Sequence, residues 1–282
     1  PYYKLLEDNI GYIVLETFSS KAASETKAAL EHLKTQGAEK IILDLRNNGG
    51  GLLGESVKIV NLFIPKGQTV TYTESVIKKY NKVYKTMEDP VDTEIPLAIL
   101  INENSASASE IVSGSLQDLD RAVVIGNRSF GKGLVQREMP MSYSTQLKVT
   151  ISRYFTPSGR SIQELDYETD LVDKRNIQEK DQVFYTKNKR KVYGGGGISP
   201  DKEMDDNTDI DFIRSLNNKL YYLNFGTDFL KKNPIANPNQ FKLKEKDWQD
   251  FKAYLHAELK LNRTEKAWEK FATEAQKDGL DD

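Results

Sequence analysis

Short apolar runs alternate with amphipathic segments through the first half of the chain. Each run is long enough for one buried strand, and strands are predicted at residues 10–15, 41–45, 97–101 and 122–125. The segments between them carry apolar residues on one face at helical spacing, at residues 22–36, 56–63 and 110–119. Strands that alternate with helices form βαβ units around a largely parallel sheet. The sequence therefore predicts an α/β core.

Two stretches outside this alternation are predicted to lie beyond the core. Residues 69–93 are polar and aromatic, which favours a hairpin or a flap. Residues 166–193 are charged and weakly patterned, which favours a surface excursion. Between them, residues 146–155 alternate polar and apolar side chains in the manner of a strand, which a Thr-Pro-Ser-Gly turn ends.

The composition changes after residue 205. Residues 213–229 and 248–275 carry apolar side chains at helical spacing, and prolines separate the two segments. We therefore expect two parts, a domain over residues 1–205 and a helical region over residues 206–282. The length of 282 residues is consistent with about two domains.

The residue counts exclude several kinds of site. The chain has no Cys, which excludes thiol nucleophiles, disulfides and Cys-ligated metal centres. Its two histidines, His32 and His256, are too few for a three-His metal site, and both are predicted to lie on the surface.

Charge and hydropathy limit the partners. The 40 Lys and Arg nearly balance the 42 Asp and Glu, so no basic excess indicates a nucleic-acid partner. A membrane-spanning helix needs about 18 or more consecutive apolar residues, and the sequence has no such run. The chain begins at Pro1 instead of Met, which is typical of a processed or truncated piece whose targeting segment lies outside it.

The first candidate site is the segment Asn-Ser-Ala-Ser-Ala-Ser-Glu at residues 104–110, between a predicted strand and the helix after it. This position is where α/β sheets place ligands and nucleophiles. The free N–H groups of a helix N-terminus also suit a developing oxyanion. A serine of this segment is therefore a candidate nucleophile. The alternative is that Ser107 and Glu110 form only a capping box.

The second candidate site is Gly-Asn-Arg-Ser-Phe-Gly-Lys-Gly at residues 126–133, which nearly matches a phosphate-binding loop. Gly133 stands where that loop needs a hydroxyl, and strand-like residues follow instead of a helix, so the nucleotide interpretation fails. An apolar, Gly-rich setting favours the neutral amine that Lys132 would need as a general base. Gln136 would share its strand face and hydrogen-bond to it. The alternative is a solvated lysine with an incidental Gln.

The third candidate site is the glycine-rich turn in residues 44–52. Three glycines permit positive φ angles and bring backbone N–H groups to the surface of a site, as an oxyanion hole requires. The alternative is an ordinary tight turn in which Asp44 and Arg46 form a structural ion pair. The other acidic residues are spread along helices and loops, which argues against a glycosidase carboxylate pair.

Four motifs follow one another along the chain. They are Asp-Leu-Arg-Asn-Asn-Gly-Gly-Gly at 44–51, Ser-Ala-Ser-Ala-Ser-Glu-Ile at 105–111, Gly-Asn-Arg-Ser-Phe-Gly-Lys-Gly-Leu-Val-Gln at 126–136 and Gly-Gly-Gly-Ile-Ser-Pro-Asp at 195–201. Together they resemble the carboxy-terminal processing proteases, also called tail-specific proteases, a family of Ser-Lys endopeptidases. The resemblance covers residues 10–201.

This resemblance implies a ClpP/crotonase-like α/β core and a role for each motif. Ser107 would be the nucleophile, Lys132 the general base and Gln136 the residue that supports the lysine. The oxyanion hole would use the backbone N–H of Ala108 and that of a glycine in the turn, with Gly50 as the expected donor. No metal or cofactor is implied.

The resemblance also implies partners and a location. The substrates would be proteins or peptides with apolar C-terminal segments, cleaved near their C-termini, in the periplasm or cell envelope. Whether the chain forms a homo-oligomer stays open. The family's PDZ domain, which recruits the substrate C-terminus, is expected to be missing from this chain. Gly49 stands where the family often has Pro, which should loosen the turn.

Two other functions stay open at this point. Crotonase-like acyl-CoA enzymes share the fold and the Gly-rich oxyanion turn, but they normally rely on glutamates in place of a Ser/Lys pair. A catalytically inactive peptide-binding or scaffold protein would keep the fold without an assembled site. Whether the side chains of Ser107 and Lys132 lie within reach of each other separates these alternatives.

Overall fold

The computed structural model has a strand or a helix at each segment predicted from the alternating pattern. It describes residues 1–164, 182–204, 216, 220–235 and 241–262. The strands are β1 (Tyr2–Leu6), β2 (Ile10–Val14), β3 (Lys40–Asp44), β4 (Thr69–Glu74), β5 (Lys82–Lys85), β6 (Leu97–Ile101), β7 (Val123–Gly126), β8 (Leu134–Pro140), β9 (Gln146–Phe155), β10 (Val183–Tyr185), β11 (Lys191–Tyr193) and β12 (Lys202–Glu203). The helices are α1 (Ala22–Thr35), α2 (Leu53–Asn61), α3 (Ala108–Asp118), α4 (Tyr221–Lys232) and α5 (Glu245–Asn262).

The predicted α/β core is confirmed by a six-stranded sheet in the order β1-β2-β3-β6-β7-β12. Strands β2, β3, β6, β7 and β12 pair in parallel, and only β1 is antiparallel to its neighbour. Because β3 and β6 are parallel neighbours, with Asp44 opposite Leu100, their carboxyl ends meet at one edge of the sheet. The loops that follow these two strands carry two of the candidate sites.

The hydrophobic core lies between this sheet and helices α1, α2 and α3. Alternate strand residues point into it, because successive side chains of a strand lie on opposite faces of a sheet. Helix α1 buries one face and exposes the other, as its spacing predicts. The largest aliphatic and aromatic side chains of this core are Ile13, Phe18, Leu30, Leu33, Ile41, Leu43, Leu45, Ile59, Phe63, Ile99 and Tyr154.

A second, antiparallel sheet has the order β5-β4-β9-β8. The segment 69–93 does form a hairpin, of β4 and β5, but the expectation that it lies outside the core is wrong for β4. Val70, Thr71 and Thr73 are buried. The threonine hydroxyls donate to backbone carbonyls, Thr71 to Phe155 at 2.7 Å and Thr73 to Tyr80 at 2.8 Å. Polar residues can be buried here because these bonds satisfy them.

The segment 166–193, expected as a surface excursion, is described only in part, since residues 165–181 lie outside the described residues. Its described end is the antiparallel hairpin of β10 and β11. Val192 of that hairpin is buried, while Val183 and Tyr185 are exposed.

The chain divides into two compact units, Pro1–Asp205 and Asp206–Asp282. The described part of the second unit is helical, and its small core consists of Leu216, Tyr221, Phe251 and Leu255. Helices α4 and α5 overlap the two predicted helical segments, and residues 263–275 of the second segment lie outside the described residues. None of the helices that the structure describes is both long and apolar enough to cross a membrane.

A fully buried ion pair joins the end of α3 to the turn after β9. Arg160 Nη2 lies 2.7 Å from Asp118 Oδ1, and both side chains are inaccessible to solvent. The same nitrogen donates to Gln117 Oε1 at 2.7 Å. Burial lowers the pKa of Arg160, and the charge of Asp118 opposes this effect. Each charge is held in the core by the other.

We predict that Asp118→Ala lowers the free energy of unfolding of the first unit by about 3–5 kcal/mol, because it leaves the Arg160 guanidinium buried without its counterion. Urea unfolding followed by far-UV circular dichroism measures the change. Asp89→Ala is the matched control, since Asp89 is exposed and its loss removes the same charge. Equal midpoints for the two variants would contradict the prediction.

Candidate active site

Ser107 stands between β6 and α3 in a strained backbone conformation. Its φ is +58° and its ψ is −110°, and it immediately precedes the first residue of the helix. Residues other than glycine rarely adopt positive φ, and such strain persists only where the surrounding structure enforces it. The conformation places the serine at the N-terminal end of α3, where the helix dipole is positive.

Hydrogen bonds from neighbouring strand ends hold this loop. The Ser105 hydroxyl donates to the carbonyl of Leu45 at 2.8 Å. The carbonyl of Asn48 accepts two bonds, from the N–H of Ala106 at 3.0 Å and from the Ser109 hydroxyl at 2.8 Å. The serines around Ser107 therefore bind the loop after β6 to the loop after β3.

The glycine turn packs directly on the serine. Gly50 has φ +99°, and a Cβ added to it would lie 2.7 Å from the carbonyl oxygen of Ala106 and 2.8 Å from the Cβ of Ser107. No side chain fits in that space. The buried Asn48 holds the turn, because its amide donates to the Leu15 carbonyl at 2.6 Å and its Oδ1 accepts the N–H of Gly50 at 2.9 Å.

Of the backbone N–H groups near Ser107, some already donate a hydrogen bond within the protein and others do not. The N–H of Ala108 has no acceptor among the described residues, and a Cβ on Gly50 would lie 3.0 Å from this nitrogen. The N–H of Gly50 is donated to Asn48. Gly51 is exposed, and its N–H has no acceptor in the described part of the chain. The N–H of Phe18 donates to the Gly50 carbonyl, and the N–H of Leu52 donates to the Phe18 carbonyl. The N–H of Gly51, which lies between these two bonds, therefore points away from Phe18.

Glu110 joins the Ser107 and Lys132 segments through one buried carboxylate. Its Oε2 accepts the N–H of Ser107 at 2.7 Å and the N–H of Lys132 at 2.9 Å. Its Oε1 accepts the Ser129 hydroxyl at 2.6 Å and the N–H of Gly131 at 2.7 Å. Burial raises the pKa of Glu110, and these four bonds oppose that effect. The predicted capping bond, from the N–H of Ser107 to Glu110, is present, and it is one of the four hydrogen bonds that the carboxylate accepts.

Tyr154 of β9 completes the surroundings of Lys132. Its phenol donates a hydrogen bond to the carbonyl of Lys132. Burial raises the pKa of Tyr154 well above its ordinary value, the charge of Glu110 raises it further, and a hydrogen-bonding contribution from Ser107 lowers it. The phenol therefore links β9 to the backbone of Lys132.

The predicted site residues come together to different degrees. Ser107, Ala108, Gly50 and the backbone of Lys132 are neighbours, as the distances above show. In the described structure no hydrogen bond joins Ser107 Oγ to Lys132 Nζ, or Lys132 Nζ to the side chain of Gln136. Lys132 is half-buried and Gln136 is exposed on β8. A strand and not a helix follows Gly133, which agrees with rejecting a phosphate-binding loop.

The remaining candidates have structural roles. Asp44 and Arg46 form the expected ion pair, with Arg46 Nη2 2.6 Å from Asp44 Oδ2. Burial raises the pKa of Asp44, but hydrogen bonds from Arg46 and Tyr12 outweigh this and hold it below its ordinary value. His32 and His256 are exposed, as predicted. Among the described residues no group of three His, Asp or Glu could hold a metal ion.

Sequence reasoning missed Asn48 and Tyr154 and gave Glu110 too small a role. Asn48 was visible as a polar residue directly before three glycines. Tyr154 lies in the alternating strand at residues 146–155, and nothing local marks its phenol as a partner of Lys132. Their importance comes from contacts between residues distant along the chain, which a motif does not show.

A family model matches the part of the chain that carries these residues. The model for Peptidase family S41 matches residues 9–172. The chain belongs to peptidase family S41. A second model, described as a probable PDZ-protease C-terminal helical domain, matches residues 212–282 of this S41 chain.

Named relatives of this S41 chain are C-terminal processing proteases. It is 41% identical over 164 residues to the carboxyl-terminal-processing protease of Synechocystis, covering 58% of this chain and 38% of the relative. It is 34% identical over 165 residues to the chloroplastic C-terminal processing peptidase of Tetradesmus obliquus, covering 58% and 35%. The solved photosystem II D1 C-terminal processing protease has a TM-score of 0.54 at 29% identity, covering 70% of this chain and 42% of that one. The S41 chain spans less than half the length of these relatives.

We predict that Gly50→Ala destabilises the S41 chain by at least about 1–3 kcal/mol and displaces Ser107, because the new Cβ would overlap the Ala106 carbonyl at a positive φ. Gly54→Ala is the matched control, since Gly54 lies in α2 with no atom within 4 Å of an added Cβ. That variant should be neutral or gain up to about 1 kcal/mol. Urea unfolding measures the stability of both variants. A Gly50→Ala variant as stable as the wild type would refute the close approach of Gly50 to Ala106 and Ser107.

Proposed function

We propose that this S41 chain is a serine endopeptidase in which Ser107 is the nucleophile and Lys132 the general base. The observation that carries the proposal is the conformation of Ser107, held at φ +58° at the start of α3 while its N–H shares a carboxylate oxygen with that of Lys132. Strain of this kind concentrates at active sites. Membership of family S41 supports the same chemistry.

The steps follow from the positions of these groups. The amine of Lys132 takes the proton of Ser107 as Oγ bonds to the carbonyl carbon of a peptide. The N–H of Ala108 and an N–H of the glycine turn stabilise the resulting oxyanion. Gly51 suits this role better than Gly50 because its N–H is not already donated to Asn48. The protonated lysine then gives its proton to the leaving amine, and water hydrolyses the acyl-enzyme ester.

Gln136 would act after a rearrangement of the lysine. It lies on β8 four residues after Lys132, and its exposed amide is available to orient the amine when a substrate peptide covers the strand. Catalytic hydrogen bonds are often long or unformed without substrate and tighten in the Michaelis complex.

The proposed substrates are proteins or peptides with apolar C-terminal segments, cleaved near their C-termini in the periplasm or cell envelope. The names of the relatives support the C-terminal site. A groove of about 650 Å³ on the second sheet supports the apolar preference. Its lining includes Leu134, two residues after Lys132. The lining is mainly apolar, with Ile77, Val149, Ile151 and Phe155 beside the charged Glu74 and Arg153.

A peptide-binding protein without catalysis is the second candidate. It is favoured because no hydrogen bond among the described residues joins Ser107 Oγ to Lys132 Nζ, and because the Gly50 N–H is donated to Asn48. Such a protein would use the same groove and would release its peptides unchanged. An acyl-CoA enzyme has less support, because Glu110, the buried glutamate beside the serine, is enclosed by four donors within the protein.

We predict that Ser107→Ala and Lys132→Ala each lower the cleavage rate of an unfolded protein substrate by about 10³-fold or more, because each removes one half of the nucleophile and base pair. Cleavage is followed by mass spectrometry. Ser142→Ala and Lys148→Ala are matched controls, since both residues are exposed and outside the site. Full cleavage by either site variant would refute the mechanism, and peptide binding without cleavage by the wild type would support the second candidate.

We also predict a preference at the substrate C-terminus. Peptides that end in Val-Ala-Ala should have a kcat/KM about tenfold or more above matched peptides that end in Asp-Glu-Glu, because burying unpaired carboxylates in the apolar groove is unfavourable. Competition between the two peptides in one reaction measures the ratio. A ratio of one would remove the apolar preference and leave the peptidase assignment intact.

A further inference from the structure

Two buried side chains hold the backbone of Lys132 at both of its polar groups. The N–H donates to Glu110 Oε2 at 2.9 Å, and the carbonyl accepts a hydrogen bond from the phenol of Tyr154. Glu110 is inaccessible to solvent and Tyr154 is 2% exposed. The two side chains come from α3 and β9, which are distant in sequence from each other and from the lysine.

Glu110 also contacts the serine. Glu110 Oε2 accepts the N–H of Ser107 at 2.7 Å, so the amide nitrogens of Ser107 and Lys132 are no farther apart than the sum of 2.7 Å and 2.9 Å.

The lysine needs such support because glycines flank it. Gly131 has φ +86°, and a Cβ on Gly133 would lie 2.8 Å from the backbone nitrogen of Gln163. Glycine leaves the backbone many conformations, so a lysine between two glycines is poorly fixed by its own chain. The N–H of Gly133 is held separately, by Gln163 Oε1 at 2.8 Å. Contacts from elsewhere in the fold therefore decide where the Lys132 backbone lies: backbone hydrogen bonds hold the carbonyls of the two glycines, and side chains hold both polar groups of the lysine backbone.

We infer that Glu110 and Tyr154 are positioning residues that hold the Lys132 backbone against Ser107 and so direct the lysine amine toward the serine hydroxyl. Neither residue takes part in bond making. The inference rests on the proposed Ser/Lys function. A displacement of a reacting group by about 1 Å can cost about 10²-fold in rate, so the loss of one contact should reduce turnover more than binding.

Tyr154→Phe tests the inference, because it removes only the hydroxyl and leaves the ring in the core. We expect kcat to fall about 10-fold to 100-fold, with KM within about twofold of wild type. The rate at which a fluorophosphonate labels Ser107 should fall in parallel, since labelling also needs the activated serine. A role confined to folding would lower stability and leave both rates per folded molecule unchanged.

Tyr72→Phe is the matched control. Tyr72 stacks on Phe155 in the same sheet, with ring centroids 5.2 Å apart, and no described hydrogen bond joins its phenol to the site. Its kcat and labelling rate should stay within about twofold of wild type. If Tyr154→Phe behaves like Tyr72→Phe in both assays, the role of Tyr154 is refuted.

Glu110→Gln is the second variant. Its amide keeps the shape of the carboxylate but turns an NH₂ group toward two of the four donors, so its kcat should fall at least as far as that of Tyr154→Phe. Circular dichroism shows whether it folds, and if it does not, Tyr154→Phe decides alone. A folded Glu110→Gln with wild-type kcat would overturn the role of Glu110. A wild-type chain with neither cleavage nor labelling would overturn the proposed function, and this inference with it.

Discussion

The carboxylate of Glu110 is the interaction on which the rest of the site depends. A carboxylate enclosed in the core is costly unless hydrogen bonds replace its water, and here four donors do so. The donors come from the start of α3 and from the loop at residues 129–132, so satisfying one buried group fixes the position of both segments. The structure thereby couples the stability of the core to the geometry of the serine and the lysine.

The topology explains why the glycine turn lies beside the serine. Parallel pairing of β3 and β6 places their carboxyl ends together, and ligands of α/β sheets bind at such ends. Asn48 then fixes the turn by bonding to Leu15, Gly50 and the loop before α3. The contact distance requires glycine at position 50, while the amide that stays accessible belongs to Gly51.

Local patterns predicted the strands and helices of the first unit because each buries a single apolar face, and a period of two or of about 3.6 residues records that face directly. The same reasoning failed for β4, since its threonines look polar in sequence and become buried only when Phe155 and Tyr80 supply acceptors. The family resemblance, and not a local pattern, predicted Gly50 as the oxyanion donor, and in this structure its N–H is donated to the side chain of Asn48.

The sequence by itself determined the α/β core, the exclusion of thiol and three-His chemistry, and the choice of Ser107 and Lys132 as candidates, because residue types and short spacings carry this information. Only the tertiary structure decided that Glu110 and Tyr154 hold the lysine backbone and that the N–H of Gly51 has no acceptor among the described residues. Those facts depend on hydrogen bonds between residues far apart in the chain, whose geometry exists only after the two sheets and α3 have packed together.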